Sequence, residues 1–460
     1  MSLTKGLTYK DFGLAQNPFP EVSQPIAFGG IGSKNPLSFG CFNASEVLHG
    51  KTMEEHLPFA GAKWHFDNPL ADMFGPGTAI APWDDGSGTL ANAETKLQAF
   101  FYMLYLLGIR NWCWHDFDCV PRAKSLPEFL DNLDGVLPVM EKLQKLTGIE
   151  CGWTTQNLFS LPLYREGAAT ANQLGVYAHA WAQTKKMLEV GKRLGAKNHV
   201  FWGGREGYNH LLATMLGAEQ KHLAGFLHMA VDYAKKIGFT GQFLIEPKPC
   251  EPSTFQYDHS ALVVIGFLVG SGLDKSFKLN VETNHAQLAG LTVMHELTVA
   301  QEHGMIGGVD VNEGTFGNGW DTDRFLGDPL IAFEIMHPVL KAGGLGSGVF
   351  NFDAHRYRSS FAPIDLIHAH ILGMDSIAWG LRTAVVIAED GDLDAAVQAR
   401  YESWKSDFGQ KIEAGKASFD EIAAQGCKVP WDLTPAQSSH HEALRSIVLR
   451  ATMRAVRNAG

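Results

Sequence analysis

Five short segments decide the fold of this chain, namely FLIEPK (residues 243–248), LNVETNH (279–285), GGVDVNEG (307–314), WDTD (320–323) and VFNFDAH (349–355). Four of them are runs of β-forming residues that stop at a carboxylate. A strand that ends in a reactive side chain and precedes a helical pattern is typical of a parallel barrel, where the carboxyl ends of all strands meet on one face. The stretch therefore predicts that its acidic side chains converge on one point.

The same alternation of strand and helix runs through most of the chain. The predicted strands lie in FAGAKWHF (59–66), GIRNWCWHDFD (108–118), ECGWTTQNLF (150–159), NHVFWGGREG (198–207), GQFLIEP (241–247), FKLNVE (277–282), IGGVDV (306–311) and GVFNFD (348–353). Segments with apolar residues at helical spacing separate them, and no GxGxxG motif follows the first strand. The pattern favours an α/β fold of the (β/α)8 TIM-barrel type over an open doubly wound sheet.

The C-terminal part has a different pattern. Beyond Ala354 the sequence becomes helical, and a barrel does not need the residues that follow Glu389. We expect residues 1–385 to form the barrel with an N-terminal extension, and residues 386–460 to form a helical arm for oligomerisation. Helices with apolar stripes and no core of their own usually bury those stripes on a partner. Folding of the arm back onto its own barrel is the alternative.

The composition restricts the class of protein and its partners. Of the 460 residues, 45% are hydrophobic and 19% are charged, which is ordinary for a soluble globular protein. The formal net charge of −11 argues against a nucleic acid or an anionic membrane as partner. The six cysteines are scattered without a CxxC pair, and no uncharged run reaches membrane-spanning length. We therefore predict a cytoplasmic protein with reduced thiols and no export signal.

The residues at the strand ends have the chemistry of metal ligands. The candidate ligands are Glu246, Glu282, His285, Asp310, Asp321, Asp323 and Asp353. Six carboxylates and one imidazole suit oxygen-preferring cations such as Mg2+ and Mn2+, and the nitrogen ligand also admits Co2+. Any one of these acidic residues alone is more often a helix cap or a solvated loop residue. Together they predict two cations that share a bridging carboxylate.

Further candidates surround these ligands. His115 ends the second predicted strand, and Asp118 in the same HDFD segment makes it a candidate acid or base, because a carboxylate fixes the imidazole tautomer. Lys248 lies two residues after Glu246 and shares its face of the strand. A core histidine and a solvated loop lysine are the alternatives for His115 and Lys248. Aromatic residues at other strand ends, which either cap the core or form walls around a sugar, are Trp64, Phe159 and Trp202.

Ten motifs, in their order and spacing, resemble those of the xylose isomerase family. They are NPLSF, GKTMEEHL, ADMFG, HDFD, FWGGREGY, LIEPKPCEP, NVETNHA, GVDVN, GWDTD and NFDA. The resemblance extends from Asn35 to Gly426 and is to the longer form of the family, which has an N-terminal extension. It implies a (β/α)8 barrel with a helical C-terminal arm, a homotetramer, and interconversion of aldose and ketose sugars.

The resemblance also implies which residues hold the metals. It implies two divalent cations in each subunit, which are Mg2+, Mn2+ or Co2+. The structural cation is expected on Glu246, Glu282, Asp310 and Asp353. The catalytic cation is expected on Glu282, His285, Asp321 and Asp323, so that Glu282 bridges the two.

The resemblance assigns the remaining candidates to the substrate. His115, oriented by Asp118, is implied to assist opening of the sugar ring, and Lys248 is implied to hold the substrate O1 atom. The residues implied to line the sugar are Trp64, Phe159 and Trp202. Phe74 of the ADMFG motif is implied to reach in from the neighbouring subunit.

The activity that the resemblance implies is conversion of D-xylose to D-xylulose, and also of D-glucose to D-fructose, by a metal-assisted 1,2-hydride shift after ring opening. Several positions depart from the family, and one of them lies beside the metals. His355 stands two residues after the last aspartate ligand, where the family usually has lysine. Two alternatives stay open: a sugar epimerase or metal-dependent hydrolase on the same barrel, and a metal-binding homologue with impaired catalysis.

Overall fold

The computed structural model describes residues 4, 6–67, 74–121, 123–434 and 438–457, and forms two compact units, Met1–Leu381 and Arg382–Gly460. The first unit contains a closed barrel of parallel strands, numbered here β1 to β8. Their bounds are Phe59–Ala62, Asn111–His115, Glu150–Thr155, Asn198–Trp202, Gln242–Glu246, Phe277–Glu282, Ile306–Asp310 and Phe350–Phe352. Each strand pairs with its neighbours in sequence, and β8 closes on β1 through the pairs from Phe350 with Phe59 to Phe352 with Gly61. The predicted (β/α)8 fold is confirmed.

The helices that follow the strands surround the barrel sheet. Their bounds are Leu90–Leu107, Leu126–Thr147, Leu174–Leu194, Leu216–Ile237, Ala261–Gly270, Val293–Glu302, Pro329–Lys341 and Ile364–Asp390. Shorter helical segments are Met53–His56, Lys63–Asp67, Asp116–Asp118, Pro162–Tyr164, Leu211–Ala213 and Thr283–Leu288. Two-residue strands pair outside the barrel, Ala27–Phe28 with Ser38–Phe39, Val47–Leu48 with Lys51–Thr52, and Gly207–Tyr208 with Phe255–Gln256.

Glycines end four consecutive barrel helices and set the turn into the next strand. Gly108, Gly148, Gly195 and Gly238 have φ angles of 72°, 77°, 66° and 73°. This left-handed conformation is strained for other residues, and it reverses the chain within two to four residues of the helix end. The short turns leave the opposite, carboxyl ends of the strands for longer loops, where the candidate residues lie.

Small and large side chains from the strands fill the barrel interior. The core below the mouth contains Ala60, Cys113, Trp153, Val200, Leu244 and Val349, all with 2% or less of their surface exposed. Trp64 packs against this cluster from above. A filled interior of this kind closes the barrel to solvent and gives the residues at its mouth a rigid floor.

The N-terminal extension is held by aromatic packing on the helix Leu90–Leu107 and on Trp83, which precedes this helix. Phe12 and Phe19 are 2% and 0% exposed. The Phe12 ring lies 5.3 Å from that of Tyr102 between centroids, and the Phe19 ring lies 5.7 Å from that of Trp83. The extension therefore contributes buried apolar surface to the first unit.

Two predicted strands end earlier than the sequence indicated. The first strand ends at Ala62, and residues to Asp67 form a helix, because one helical turn brings the buried Lys63 ammonium to the Asp67 carboxylate. The third strand ends at Thr155, because the Asn157 side chain accepts hydrogen bonds from the Phe159 and Ser160 amides and forms a turn.

The second unit is helical, as expected for the C-terminal region. Beyond the end of Ile364–Asp390, its helical segments are Asp392–Arg400, Glu402–Lys405, Asp407–Glu413, Phe419–Gly426 and His441–Arg457. The last of these lies within the predicted helical arm, although the sequence analysis did not single it out. The predicted boundary between residues 385 and 386 stays a prediction.

One described helix, Ile364–Asp390, is long and apolar enough to cross a membrane, but 72% of its most apolar window is buried inside the protein. Core helices of soluble proteins share this property.

Replacement of Gly348 by alanine is expected to destabilise the barrel. A Cβ atom at this position would lie 1.6 Å from the Gly307 carbonyl oxygen in β7, and backbone cannot move aside without disrupting the β7–β8 pair. We expect Gly348→Ala to reduce the free energy of unfolding by about 3 kcal/mol, measured by urea denaturation.

Gly266→Ala is the matched control. Gly266 lies on the helix Ala261–Gly270, and a Cβ there meets nothing within 4 Å. Because alanine has a higher helix propensity than glycine, the free energy of unfolding of this variant is expected to increase by about 0.5–1 kcal/mol. Equal stability of the two variants would contradict the close approach of β7 to Gly348.

Candidate active site

A cavity of about 210 Å³ opens at the carboxyl ends of the barrel strands. The predicted residues that line it are Trp64, His115, Phe159, Trp202, Glu246, Lys248, Glu282, His285, Asp321, Asp323 and Asp353. Asp310 is fully buried beneath it, and Asp118 lies behind His115. Five strands end on a predicted residue, which are His115, Trp202, Glu246, Glu282 and Asp310 on β2, β4, β5, β6 and β7.

The first acidic group combines the ends of four neighbouring strands. It consists of Glu246, Glu282, Asp310 and Asp353, which offer ligand oxygens within 4.8 Å of one another. The Asn280 side-chain amide donates to Glu246 Oε2 at 2.9 Å and to Asp310 Oδ2 at 2.8 Å. This amide holds two carboxylates side by side, and the Asn351 side-chain amide donates to the other Asp310 oxygen, Oδ1, at 3.0 Å.

The second group shares Glu282 with the first. Oxygens of Glu282, Asp321 and Asp323 also lie within 4.8 Å of one another. The His285 Nε2 atom lies 2.9 Å from Asp321 Oδ2 and 3.2 Å from Glu282 Oε2. Its Nδ1 atom lies 3.0 Å from the Pro247 carbonyl oxygen, which fixes Nδ1 as the donor and leaves the Nε2 lone pair for a metal.

Burial and mutual repulsion raise the pKa values of several of these carboxyl groups. The pKa values of Glu246 and Glu282 lie well above the ordinary value because both groups are buried and face other carboxylates. For the same two reasons the pKa of Asp323 is raised. Burial and the charge of Asp353 raise the pKa of Asp310 to about 7. Without a cation, these groups therefore retain protons that they would lose in water.

Lys248 offsets part of this negative charge. Its Nζ atom donates to Asp321 Oδ2 at 2.8 Å and lies 3.4 Å from Glu251 Oε2. Burial opposes the charge of the ammonium, but Asp321 and the other nearby carboxylates raise the pKa of Lys248 above its ordinary value. Burial likewise opposes ionisation of Asp321, yet Lys248 holds the Asp321 pKa well below its usual range. The pair is therefore charged in the folded protein.

The residues at the cavity fit divalent cations. The Asp321 Oδ1 atom is buried without a hydrogen-bond partner in the part of the chain that the structure describes. A buried acceptor without a donor is costly, and six carboxylates beside one ammonium leave an excess of negative charge. Oxygen ligands with one imidazole nitrogen suit Mg2+, Mn2+ and Co2+.

His115 and aromatic rings form the opposite side of the cavity. The His115 Nδ1 atom lies 3.2 Å from Asp118 Oδ2, which also accepts the His115 backbone N–H at 2.7 Å. Burial disfavours the imidazolium, but Asp118 raises the pKa of His115 above its ordinary value. The Trp64 ring lies edge-on to His115 at 4.6 Å between centroids, and the Phe159 and Trp202 rings are 4.5 Å apart.

The sequence predicts Trp64 at a strand end, His285 in a strand-to-loop turn and an extended DTD segment, and these three backbone predictions were wrong, although the side chains involved reach the cavity. Trp64 lies on the helix Lys63–Asp67 and not on a strand, and His285 lies on the helix Thr283–Leu288 and not in a turn. Asp323 has a φ angle of 41° in the left-handed region, so the DTD segment is not extended. The left-handed residue turns the Asp323 carboxylate toward Glu282, which alternation along an extended strand does not do.

Phe74 lies apart from the cavity of its own subunit. Its side chain is 63% exposed, and its ring is 6.0 Å from that of Trp320 between centroids. The three residues before it in the ADMFG motif lie outside the described residues. Its contact with a neighbouring subunit stays a prediction.

Sequence reasoning missed several polar residues that support the site. His65 contacts Asp353 and His355, and the Asn312 amide donates to Glu282 Oε1 at 2.7 Å and to Asp323 Oδ1 at 3.0 Å. The sequence contains a signal for Asn312, which lies two residues after the end of β7 at Asp310. A polar side chain buried at a strand end requires partners.

The fold and the site define a (β/α)8-barrel protein with a divalent-cation centre beside an aromatic wall. A family model described as the XylA2 C-terminal domain matches residues 397–452. A xylose isomerase of Rhodopirellula baltica is 48% identical, over 94% of this chain and 98% of the relative. The xylose isomerase of Geobacillus stearothermophilus is 45% identical, over 94% of this chain and 97% of the relative. That of Arabidopsis thaliana is 44% identical, over 95% of this chain and 91% of the relative. The chain belongs to the xylose isomerase family, as its motifs predicted, and is an aldose–ketose isomerase.

A second, narrow cavity of about 50 Å³ lies on the other side of Trp202 and is bordered by two buried acids. Glu206 accepts hydrogen bonds from the backbone amides of Ala169 at 2.7 Å and Thr170 at 2.9 Å. Burial raises the pKa of Asp258 to about 8, and the charge of Glu206 adds to the shift. The Asp258 carbonyl accepts the Lys248 backbone N–H at 3.0 Å, so this segment also positions Lys248.

Asp258→Asn is expected to flatten the pH dependence of stability. Because the folded-state pKa of Asp258 is raised to about 8, the folded protein binds this proton more tightly than the unfolded chain. Its contribution is full below the unfolded pKa near 4 and is lost as pH rises toward 8, by at most about 1.4 kcal/mol per pH unit. The free energy of unfolding of the variant, relative to the parent, should rise between pH 5 and 8 in urea titrations with excess Mg2+.

Asp131→Asn is the control, because Asp131 is exposed on the helix Leu126–Thr147. Its stability difference from the parent should stay constant across this range. A constant difference for Asp258→Asn as well would contradict a protonated Asp258 in the folded protein.

Proposed function

We propose that this enzyme converts D-xylose to D-xylulose, accepts D-glucose as a second aldose, and uses two divalent cations per subunit. One observation carries the proposal: six carboxylates and one imidazole converge at the barrel mouth of a chain that is 48% identical to a named xylose isomerase. The aromatic rings beside them suit the C–H faces of a sugar.

The two acidic groups would hold the two cations. The first would be held by Glu246, Glu282, Asp310 and Asp353, and the second by Glu282, His285, Asp321 and Asp323. When bound, Mg2+, Mn2+ or Co2+ would polarise sugar oxygens as a Lewis acid and stabilise negative charge on them. The asparagine amides of Asn280 and Asn312 would keep the carboxylates in place during turnover.

His115 would open the sugar ring. Because its Nδ1 atom faces Asp118, the Nε2 atom is the ring nitrogen directed at a substrate. The Nε2 atom would take the proton of the anomeric hydroxyl as the bond between C1 and the ring oxygen breaks, and a proton would return to the ring oxygen. Asp118 stabilises the imidazolium that forms between these transfers.

Lys248 would act on the open chain. The aldose becomes the ketose when the C2 hydrogen moves to C1 with its electron pair and the O2 proton moves to O1. Negative charge develops on O1 as the hydride arrives, and a buried ammonium beside O1 stabilises that charge. Lys248 remains charged because Asp321 raises its pKa, so it donates a hydrogen bond without giving up its proton.

The oligomer and the compartment belong to the same proposal. We expect a cytoplasmic homotetramer in which residues 386–460 form an arm on a neighbouring subunit, and in which Phe74 completes the neighbour's sugar site. The second unit exposes large apolar side chains, including Phe419 at 93% and Leu433 at 62%. Such side chains favour burial against another subunit.

Incubation with D-xylose tests the proposed reaction. With Mg2+ present, NMR should detect D-xylulose, and product formed in D2O should lack solvent deuterium at C1 because the hydrogen moves as hydride. Removal of divalent cations by EDTA should abolish turnover, and Mg2+, Mn2+ or Co2+ should restore it.

The same spectra separate the alternatives. A sugar epimerase would produce a stereoisomer that keeps its carbonyl position, and solvent deuterium at C1 would indicate an enediol instead of a hydride shift. Absence of turnover with any pentose or hexose, at full metal content, would identify an impaired homologue and contradict the proposal.

Asp118→Asn tests the role of His115. Loss of the carboxylate should lower the pKa of His115, and so move the acid limb of the kcat profile to lower pH, while kcat falls roughly 10- to 100-fold. In a His115→Asn background the same substitution should cause no further loss. An unchanged acid limb would show that His115 does not titrate during turnover.

A further inference from the structure

Two histidines face each other across the seam where the barrel closes. His65 lies just after β1 and His355 just after β8, and these strands pair directly. Their rings are 4.0 Å apart between centroids with planes inclined by 74°, and their Nδ1 atoms are 3.2 Å apart. Both side chains line the cavity. Neither histidine belongs to the two acidic groups.

A carboxylate lies beside this pair. The Asp323 Oδ2 atom lies 3.9 Å from the other ring nitrogen of His355, Nε2, and the His355 backbone N–H donates to the Asp323 carbonyl at 2.5 Å. His65, His355 and Asp323 each offer one ligand atom, and these three atoms lie within 4.8 Å of one another. The backbone hydrogen bond ties the carboxylate segment to His355, so the three residues are held as one unit.

The separation of the imidazole nitrogens matches a shared metal. Two nitrogens about 2.05 Å from a tetrahedral Zn2+ lie about 3.3 Å from each other. The observed Nδ1–Nδ1 distance is 3.2 Å. A cation can therefore lie between the two nitrogens with little movement of either ring.

Asp353 orients the ring of His65. The His65 Nε2 atom contacts Asp353 Oδ1, which makes Nε2 the donor and leaves the Nδ1 lone pair directed at His355. A carboxylate on the far nitrogen of a histidine is the usual support of a metal-ligating imidazole, because it fixes the tautomer and raises the basicity.

We propose that His65, His355 and Asp323 form a third cation site, which takes a transition metal of the Zn2+, Cu2+ or Ni2+ type. Two imidazoles and one carboxylate favour these ions, whereas the oxygen-rich groups nearby favour Mg2+ and Mn2+. The site depends on His355, because a charged lysine at this position has no lone pair for a metal.

The third site would compete with the catalytic centre for Asp323. This consequence rests on the proposed function, in which Asp323 holds the second cation. A metal between His65 and His355 would draw the Asp323 carboxylate away from Glu282, so each site would weaken the other by the same factor. An enzyme with all three sites filled would turn over sugar more slowly than one with two.

Copper EPR on the Mg2+-loaded enzyme tests the site directly. One equivalent of Cu2+ per subunit is added, and pulsed EPR counts the coordinating imidazoles. We expect two imidazoles in the parent enzyme, because His285 is the sole imidazole of the acidic groups. His355→Lys and His65→Gln should each reduce the number of coordinating imidazoles to one or none. When Mg2+ and Zn2+ are supplied instead of Cu2+, the parent should bind three metal ions per subunit and each of these variants should bind two.

His303→Lys is the matched control, because His303 is exposed at the end of the helix Val293–Glu302. Its spectrum should equal that of the parent. A parent spectrum with a single imidazole, or with two that persist in both cavity variants, would overturn the proposal. If a variant fails to fold, the spectrum of the parent enzyme is sufficient to test the proposal. Sugar turnover is not the readout, so an enzyme inactive on sugars would contradict the proposed function without affecting this result.

Discussion

Repulsion among buried carboxylates at one end of the barrel is the constraint on which the rest of the site depends. Glu246, Glu282 and Asp310 end adjacent strands, and the hydrogen-bonded register of the sheet prevents them from moving apart. In a folded chain the repulsion is relieved by bound protons, by Lys248, or by cations. The order of the strands therefore creates a centre that must bind positive charge. Under the proposed function, the sugar oxygens bind to that charge.

Neutral amides make the close approach of these acids possible. Asn280 and Asn312 each donate to two carboxylates from different strands or loops, so they separate like charges without adding a charge of their own. A lysine in either place would neutralise one carboxylate and lower the affinity for a cation. Side chains beyond the ligands therefore set both the geometry and the net charge of the centre.

Residues whose role follows from strand termination could be predicted from sequence, and residues placed by loop geometry could not. Runs such as LNVE and GGVD show where a strand stops, so Glu282 and Asp310 were identified and the barrel followed from their repetition. The first strand was predicted to continue to about Trp64 and not to end at Ala62, because the apolar run FAGAKWHF outweighed the helical spacing of Lys63 and Asp67, four residues apart, whose pair is buried in the folded chain. The left-handed backbone of Asp323 could not be predicted either, because aspartate adopts this conformation more often than most residues but still only in a minority of cases.

The closure of β8 on β1 has a consequence for synthesis of the protein. The strands that pair there are separated by nearly 290 residues, and the acidic ligands come from the second half of the barrel. During translation, a ribosome-bound chain that lacks β8 exposes an open sheet edge beside a half-built charged pocket. The centre therefore matures only after residue 353 has left the ribosome, and nascent chains stalled earlier are candidates for chaperone binding.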